Sequence, residues 1–301
     1  MSWLRRPLNL WLRTVEKRRM RKGSVTALRR ALEVQSRLLF YGPWGTRKSW
    51  TEHGGVRCLT LAPRATVTGR VLLYIHGGGF VFGSPDTHSA MVANLAGRIG
   101  ARAVMPQYRL APEHLFPAAP DDVRRVWDAI LESGVASHDV VVGGDSAGGA
   151  LAFGLLASLC AESVALPGAL FSFSPLTDLT YSGESFTTNA EAEAVLAAER
   201  GAEMVDMYLN GRTGSDPAVS PLYASFEGAP PVWVTVGDTE ILLDDSRSIV
   251  AKLEAQGVDT TLVIEHDLPH VWPIFHNVLP EARQTLDAVA EWIKQRQKWE
   301  A

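Results

Sequence analysis

Short apolar runs recur along the chain from about residue 56 onward, and several of them end at glycine or proline. They occupy residues 71–75, 102–105, 140–142, 168–173, 232–236 and 260–264. Runs of this length without regular polar alternation are typical of strands that are buried on both faces of a sheet. The pattern therefore predicts a central, mostly parallel sheet.

Amphipathic or small-residue stretches separate these runs and have the spacing of helices. They cover residues 86–99, 121–132, 147–160, 244–256 and 281–299. Alternation of strands and helices predicts an α/β fold with right-handed crossovers and helices on both sides of the sheet. Two stretches interrupt the alternation, residues 1–45 and 179–215, and the second contains an acid- and alanine-rich helix candidate at 191–210.

Composition excludes several classes of protein. The 301 residues are 46% hydrophobic and 21% charged, which is ordinary for a globular chain and excludes intrinsic disorder. Cys58 and Cys160 are the only cysteines, so a disulfide scaffold and a cysteine zinc site are excluded. No apolar run reaches the ~18 residues of a membrane span. We expect no metal and no cofactor.

Charge is distributed unevenly along the chain. Residues 1–37 contain 11 Lys and Arg against two Glu, a net charge of +9, whereas the remainder carries −13. Arg5, Arg6 and Arg13 interrupt the apolar residues of this segment, which argues against a secretory signal and favours a cytoplasmic protein. No nucleic-acid-binding motif accompanies the charge. We expect helices folded onto the body, with contact to a membrane surface as the alternative.

Residues 144–148, Gly-Asp-Ser-Ala-Gly, fit the pattern G-x-S-x-G. The motif lies between the predicted strand 140–142 and the predicted helix 147–160. A strand–turn–helix context is what a nucleophile elbow requires, because the serine stands on a strained turn whose neighbours must be small. Ser146 is therefore the candidate nucleophile.

Residues 76–80, His-Gly-Gly-Gly-Phe, directly follow the predicted strand 71–75. Successive glycines let backbone N–H groups approach a ligand closely, as an oxyanion hole requires. No G-x-x-x-x-G-K-[ST] or G-x-G-x-x-G motif follows, so nucleotide binding is not indicated. The candidate oxyanion donors are Gly78, Gly79 and Ala147, with Gly77 as a competitor.

A serine nucleophile needs a base and an acid that orients it, and in hydrolases of this type both follow the serine in the chain. His270 lies in a loop after the predicted strand 260–264, where the base belongs, whereas His266 is nearer the strand end. Asp238 and Glu240 both follow strand 232–236 and both qualify as the acid. Spacing alone does not choose between them.

Together these residues resemble the bacterial hormone-sensitive-lipase-like esterases of the α/β-hydrolase superfamily. The segments that carry the resemblance are HGGGF at 76–80, YRLAPEHLFPAAPDD at 108–122, GDSAGG at 144–149 and the late His270. The resemblance places Glu240 at the acid position, with Asp238 as the alternative, and implies that 108–122 braces the active-site side of the sheet. It also implies a hydrolase core at 46–178 and 216–301, under helical cap parts at 1–45 and 179–215.

The resemblance implies a serine carboxylesterase that hydrolyses short- to medium-chain acyl esters through an acyl-enzyme. Its partner would be a small-molecule ester, and a homodimer remains open. The candidate pocket residues are aromatic: Phe80, Phe82, Trp44 and Trp272. The alternatives on the same fold are an amidase or peptidase, which would keep the triad, and a non-catalytic ligand receptor, which would be expected to lose Ser146 or His270.

Overall fold

A computed structural model describes residues 2–299 and is built around one eight-stranded sheet. The strands are β1 (Arg47–His53), β2 (Val56–Ala62), β3 (Val71–Ile75), β4 (Arg102–Pro106), β5 (Val140–Asp145), β6 (Ala169–Phe173), β7 (Val232–Gly237) and β8 (Thr260–Glu265). Each of the six predicted apolar runs forms a strand, so the predicted sheet is confirmed. The strands β1 and β2 add a hairpin at one edge.

The sheet has the order β1-β2-β4-β3-β5-β6-β7-β8. Pairs from β4 to β8 are parallel, whereas β2 is antiparallel to both β1 and β4. The strand order reverses at β3, because β4 is added on one side of β3 and β5 is then added on the other side. Ligands of such sheets bind beyond the carboxyl ends of the strands near this reversal.

Ten α-helices lie within the described residues and flank the sheet or cross its carboxyl edge. They are α1 (Arg5–Trp11), α2 (Lys17–Lys22), α3 (Val25–Leu39), α4 (Pro85–Ile99), α5 (Ala118–Glu132), α6 (Ala147–Glu162), α7 (Ser185–Thr188), α8 (Ala198–Leu209), α9 (Leu243–Ala255) and α10 (Pro280–Gln297). A π-helical turn over Leu12–Glu16 joins α1 to α2. This is the predicted α/β-hydrolase architecture.

Successive residues of a strand pack alternately into two apolar layers, one on each face of the sheet. In β3, Val71 and Leu73 pack with the layer that contains α5, α6 and α9, whereas Leu72 and Tyr74 pack with the layer of α4 and α10. All four side chains are fully buried. Side chains alternate across a strand, so a run that is apolar at every position requires cover on both faces, and the helices supply it.

The basic N-terminal segment packs against the body. Arg5 donates a 2.9 Å hydrogen bond to the carbonyl of His266, and Asn9 donates one of 2.9 Å to the carbonyl of Asp267. Arg29 donates from Nη1 and Nη2 to the two carboxylate oxygens of Glu113, both at 2.7 Å. Part of the positive charge is thus used in contacts with the acidic remainder. No helix among residues 2–299 is long and apolar enough to cross a membrane.

The segment 179–215 differs from the helix expected over 191–210. The structure has α7 at Ser185–Thr188, irregular backbone from 189 to 197, and α8 at Ala198–Leu209. The expected helix therefore begins seven residues late. The carbonyl oxygens of residues 190 and 193 accept from Lys17 of the N-terminal segment, whereas in a helix they would accept from the N–H groups four residues later.

Candidate active site

Ser146 stands at the turn between β5 and α6 in a conformation that L-residues rarely adopt, with φ of 52° and ψ of −124°. Its N–H donates to the Phe173 carbonyl at 3.0 Å, and its carbonyl accepts from Leu176 N at 3.0 Å. A Cβ on Gly148 would overlap the carbonyl oxygen of Ile75, so only glycine fits there. These constraints hold Ser146 at the wall of a cavity and at the N-terminus of α6.

Glu240 lies in the loop after β7 and His270 in the loop after β8, and the two side chains are in contact. The Nδ1 atom of His270 lies 2.7 Å from Oε2 of Glu240. The other oxygen, Oε1, accepts from Ser174 Oγ at 2.8 Å and from Gly237 N at 2.6 Å. Glu240 is 1% exposed and His270 7% exposed. The carboxylate is therefore fixed by three donors and orients the imidazole.

The pKa of His270 is raised above its ordinary value. Burial opposes the charged imidazolium and is the largest single effect, but the hydrogen bond and charge of Glu240 outweigh it, with help from Glu193 and Asp145. A base that is stabilised in its protonated form can hold a proton taken from a neighbouring hydroxyl.

Asp238, the alternative acid, lies in a different pair. Its Oδ2 is 2.7 Å from Nδ1 of His266, and its Oδ1 accepts from Asp267 N at 2.7 Å. The side chains of Asp238 and His266 are 36% and 64% exposed. The structure thus separates the two candidate acids: Glu240 contacts His270, whereas Asp238 contacts a surface histidine.

The loop after β3 brings Gly77, Gly78 and Gly79 to the cavity wall. Gly78 has φ of 125°, and a Cβ there would overlap the Phe82 carbonyl oxygen, so this position requires glycine. The Gly78 carbonyl accepts from Val81 N and Phe82 N, both at 3.0 Å. Ala147 is the first residue of α6, where N–H groups lack helical partners. Three candidate oxyanion donors thus lie in the loop after β3, and the fourth, Ala147, lies at the start of α6.

Segment 108–122 contacts this glycine loop directly. Tyr108 Oη donates to the His76 carbonyl at 2.8 Å, and Ala111 N donates to the Phe80 carbonyl at 3.0 Å. Asp122 accepts from the backbone and guanidinium of Arg109 at 2.9 Å and so closes the segment on itself. These contacts hold the glycine loop in place beneath the cavity.

Sequence reasoning missed a buried polar cluster around Asp145, the residue before Ser146. Tyr74 Oη donates to Asp145 Oδ1 at 2.7 Å, and His88 Nε2 lies 3.3 Å from Oδ2. Burial opposes the charge of Asp145, yet the adjacent His88 charge lowers its pKa overall. His76 stacks on His88 with ring centroids 5.7 Å apart, and burial lowers the pKa of His76 to about 3. The one feature of the sequence that could have predicted this cluster is the acidic Asp145 among the small residues of the turn at 144–148.

The cavity has a volume of about 220 Å³ and an almost wholly apolar lining. The core contributes Ser146, His270 and the glycine loop, the N-terminal segment contributes side chains such as Leu12 and Leu28, and α8 contributes Met204. Among residues 2–299, no group of three or more His, Cys, Asp or Glu side chains could hold a metal ion.

Two of the four candidate pocket residues lie elsewhere. Phe80 and Phe82 line the cavity, and Phe80 also stacks on Tyr208 with ring centroids 3.9 Å apart. Trp44 is 85% exposed and stacks on the Arg64 guanidinium at the surface. Trp272 is fully buried outside the cavity lining and donates to Thr285 Oγ1 at 2.9 Å. The expectation for Trp44 and Trp272 is therefore corrected.

Comparison with known proteins gives consistent results. A family model described as the alpha/beta hydrolase fold matches residues 72–274. An esterase of Acinetobacter venetianus is 36% identical over 79% of this chain and 78% of its own length. An acetyl-hydrolase of Streptomyces hygroscopicus is 34% identical over 75% of this chain and 76% of its own length. The crystal structure of an esterase from the bacterial hormone-sensitive lipase family superposes with a TM-score of 0.94 at 33% identity, covering 99% of each chain.

Proposed function

Because this chain belongs to the bacterial hormone-sensitive-lipase-like esterases of the α/β-hydrolase fold family, and so is a carboxylic ester hydrolase, we propose that it acts through a Ser146–His270–Glu240 triad on short- to medium-chain acyl esters. One observation carries the proposal. The strained Ser146 and His270 line the same cavity, and Glu240 contacts His270 at 2.7 Å from behind.

In the proposed mechanism, Nε2 of His270 removes the proton of Ser146 Oγ as that oxygen attacks the ester carbonyl. The tetrahedral oxyanion accepts hydrogen bonds from the N–H groups of Gly78, Gly79 and Ala147, each worth ~2.7–4 kcal/mol. The alcohol leaves with the proton from His270. Water then attacks the acyl-enzyme by the same path, which restores Ser146.

Glu240 has two tasks in this scheme. Its Oε2 fixes His270 Nδ1 as the protonated nitrogen, which leaves Nε2 free to accept the serine proton. Its negative charge then stabilises the imidazolium. Both tasks suit a carboxylate that three donors already hold in place.

The size and chemistry of the cavity support the substrate class. Its volume of about 220 Å³ falls below the ~300–1,000 Å³ of sites for drug-sized ligands, which favours small acyl groups. The lining offers an acyl chain an apolar surface. The proposal requires a small-molecule ester as the only partner and no cofactor.

The test is a series of p-nitrophenyl esters from acetate to dodecanoate, with matched p-nitroanilides to detect amidase activity. We expect kcat/KM to peak at short or medium chains and the anilides to react far more slowly. An organophosphate inhibitor should form one covalent adduct, located by mass spectrometry on Ser146. Labelling of another residue, or full activity after Ser146→Ala, would contradict the proposal.

A further inference from the structure

Three polar side chains of the segment 179–215 bind the backbone of the turn that carries Glu240. They are Ser185, Asn189 and Glu193, spaced four residues apart. The turn follows β7 and contains residues 238–241. None of the three side chains has a role in the proposed mechanism, and their targets are main-chain groups.

The peptide between Glu240 and Ile241 is held at both of its polar groups. Asn189 Nδ2 donates to the Glu240 carbonyl at 2.9 Å and to the Asp238 carbonyl at 3.0 Å. Ile241 N donates to Oε2 of Glu193 at 3.2 Å. Ser185 Oγ donates to the Ile241 carbonyl at 2.9 Å. The main chain at the proposed acid is thus fixed by side chains from another segment.

Glu193 is fully buried, which is costly for a carboxylate unless donors surround it. Its Oε1 accepts from Val195 N at 2.7 Å and from Leu196 N at 3.3 Å. Burial raises its pKa, and so does the nearby charge of Glu240. The charged groups that face Glu193 are Glu240 and His270 from the core and Lys17 from the N-terminal segment.

The N-terminal segment holds the same stretch from the other side. Lys17 Nζ donates to the carbonyls of Ala190 and Glu193, at 2.7 and 2.8 Å. Arg13 donates to the Ala192 carbonyl through Nη2 at 2.6 Å. Lys17 is 6% exposed, although lysine is almost never fully buried without partners. Two cations of the basic segment therefore fix the backbone that carries Asn189 and Glu193.

We propose that Asn189 and Glu193 are positioning residues that hold Glu240 against His270, and that Lys17 keeps both in place. The proposal rests on the proposed role of Glu240 as the acid of the triad. A shift of the 238–241 turn would move a carboxylate whose contact with Nδ1 is only 2.7 Å long. The basic segment and the 179–215 segment thus serve the triad as well as the pocket.

The test compares Asn189→Ala and Glu193→Gln in the natural chain and in a Glu240→Gln background. In the natural chain each variant should lower kcat by about 10–100-fold with little change in KM, as expected for misplacement of a catalytic group. Lys17→Met should reproduce part of the loss. Glu191→Gln is the matched control, because it removes an exposed carboxylate from the same stretch, and it should leave kcat unchanged.

The Glu240→Gln background separates positioning from general damage. Residues that act through Glu240 should cause no further loss once Glu240 is replaced, whereas damage to the fold would lower kcat equally in both backgrounds. Each kcat is calculated per active site, with the active sites counted by complete titration with an organophosphate. The melting temperature of each variant verifies folding. Glu193→Gln should also move the acid limb of kcat/KM to lower pH, because it removes a negative charge facing His270.

An unchanged kcat per titrated site in Asn189→Ala and Glu193→Gln would overturn the positioning role, as would equal losses in both backgrounds. If Glu240→Gln is severely impaired while both variants stay normal, the triad stands and only the positioning role is rejected. If Glu240→Gln keeps full activity, the proposed acid is wrong and the positioning role is rejected with it.

Discussion

Glu240 Oε2 lies 2.7 Å from His270 Nδ1, whereas Asp238, two residues earlier, binds His266 at the same distance. We expect Glu240→Gln to lower kcat by about 10⁴-fold, the order seen when the acid of a serine triad becomes an amide. Asp238→Asn should leave kcat within a few-fold. Steady-state kinetics on one p-nitrophenyl ester, with both melting temperatures measured, decides between them. Severe impairment in Asp238→Asn alone would reverse the assignment.

The pH profile follows from the pKa of His270, which lies above its ordinary 6.5 in the folded chain. The base must be neutral to accept the Ser146 proton, so kcat/KM should fall as pH drops through this raised pKa, with its acid limb above pH 6.5. Glu240→Gln removes the negative charge that helps to raise this pKa, so the acid limb of the variant should move to lower pH. An acid limb below pH 6.5 in the natural enzyme would contradict the raised pKa of His270.

The same shift links pH to stability. Because folding raises the pKa of His270, its contribution to the free energy of unfolding is fully present below pH 6.5 and is lost as pH rises through the folded pKa. Urea unfolding between pH 6 and 9 should detect this loss in the natural chain. His270→Ala should remove that part of the pH dependence, and equal slopes in both proteins would contradict it.

Met204 lines the cavity from α8, and its Sδ approaches the space beside Gly79. Met204→Ala should enlarge the acyl side and move the optimum chain length upward, while Met204→Trp should restrict the enzyme to the shortest esters. Met207→Ala is the matched control, because Met207 is on the same helix outside the cavity lining. An unchanged preference in both Met204 variants would show that acyl groups lie elsewhere.

Asp145 is fully enclosed, and its two oxygens contact Tyr74 and His88. Asp145→Asn removes one partner of a buried charged pair and should lower the free energy of unfolding by about 3 kcal/mol. Asp128→Asn, which removes an exposed carboxylate paired with Arg124, should cost at most ~1 kcal/mol. Thermal unfolding of both variants provides the measurement. Similar losses in the two would contradict a charged Asp145–His88 pair.

The sequence predicts Ser146 because its neighbours encode backbone shape, and it predicts His270 from its place in the loop after the strand 260–264. Gly148 must be glycine to pass the Ile75 carbonyl, and that requirement is visible as a motif. The choice between Asp238 and Glu240 depends on which histidine each carboxylate faces, and no spacing rule contains that information. The resemblance favoured Glu240, and the structure places it beside His270.

Other features depend on contacts far apart in the chain. Trp44 and Trp272 are large aromatic residues of the kind that line apolar pockets. Trp44 instead stacks on Arg64, and Trp272 donates a hydrogen bond to Thr285. The late start of α8 has the same origin, since its preceding turn binds Lys17. Nothing in the sequence distinguishes Glu193 from an ordinary acidic residue, because Ile241 and Lys17, which contact it, are distant in the chain.

The N-terminal segment contacts parts of the chain that are synthesised much later. Arg5 and His266 are separated by 261 positions, Asn9 and Asp267 by 258, and Lys17 and Glu193 by 176. Such contacts raise the contact order and slow folding. On the ribosome, the first helices emerge long before the loops that complete their binding surfaces. The cavity therefore closes only after β8 and the loop that carries His270 have been translated, and a nascent chain that stalls before β8 exposes the apolar faces of α1 to α3 to chaperones and proteases.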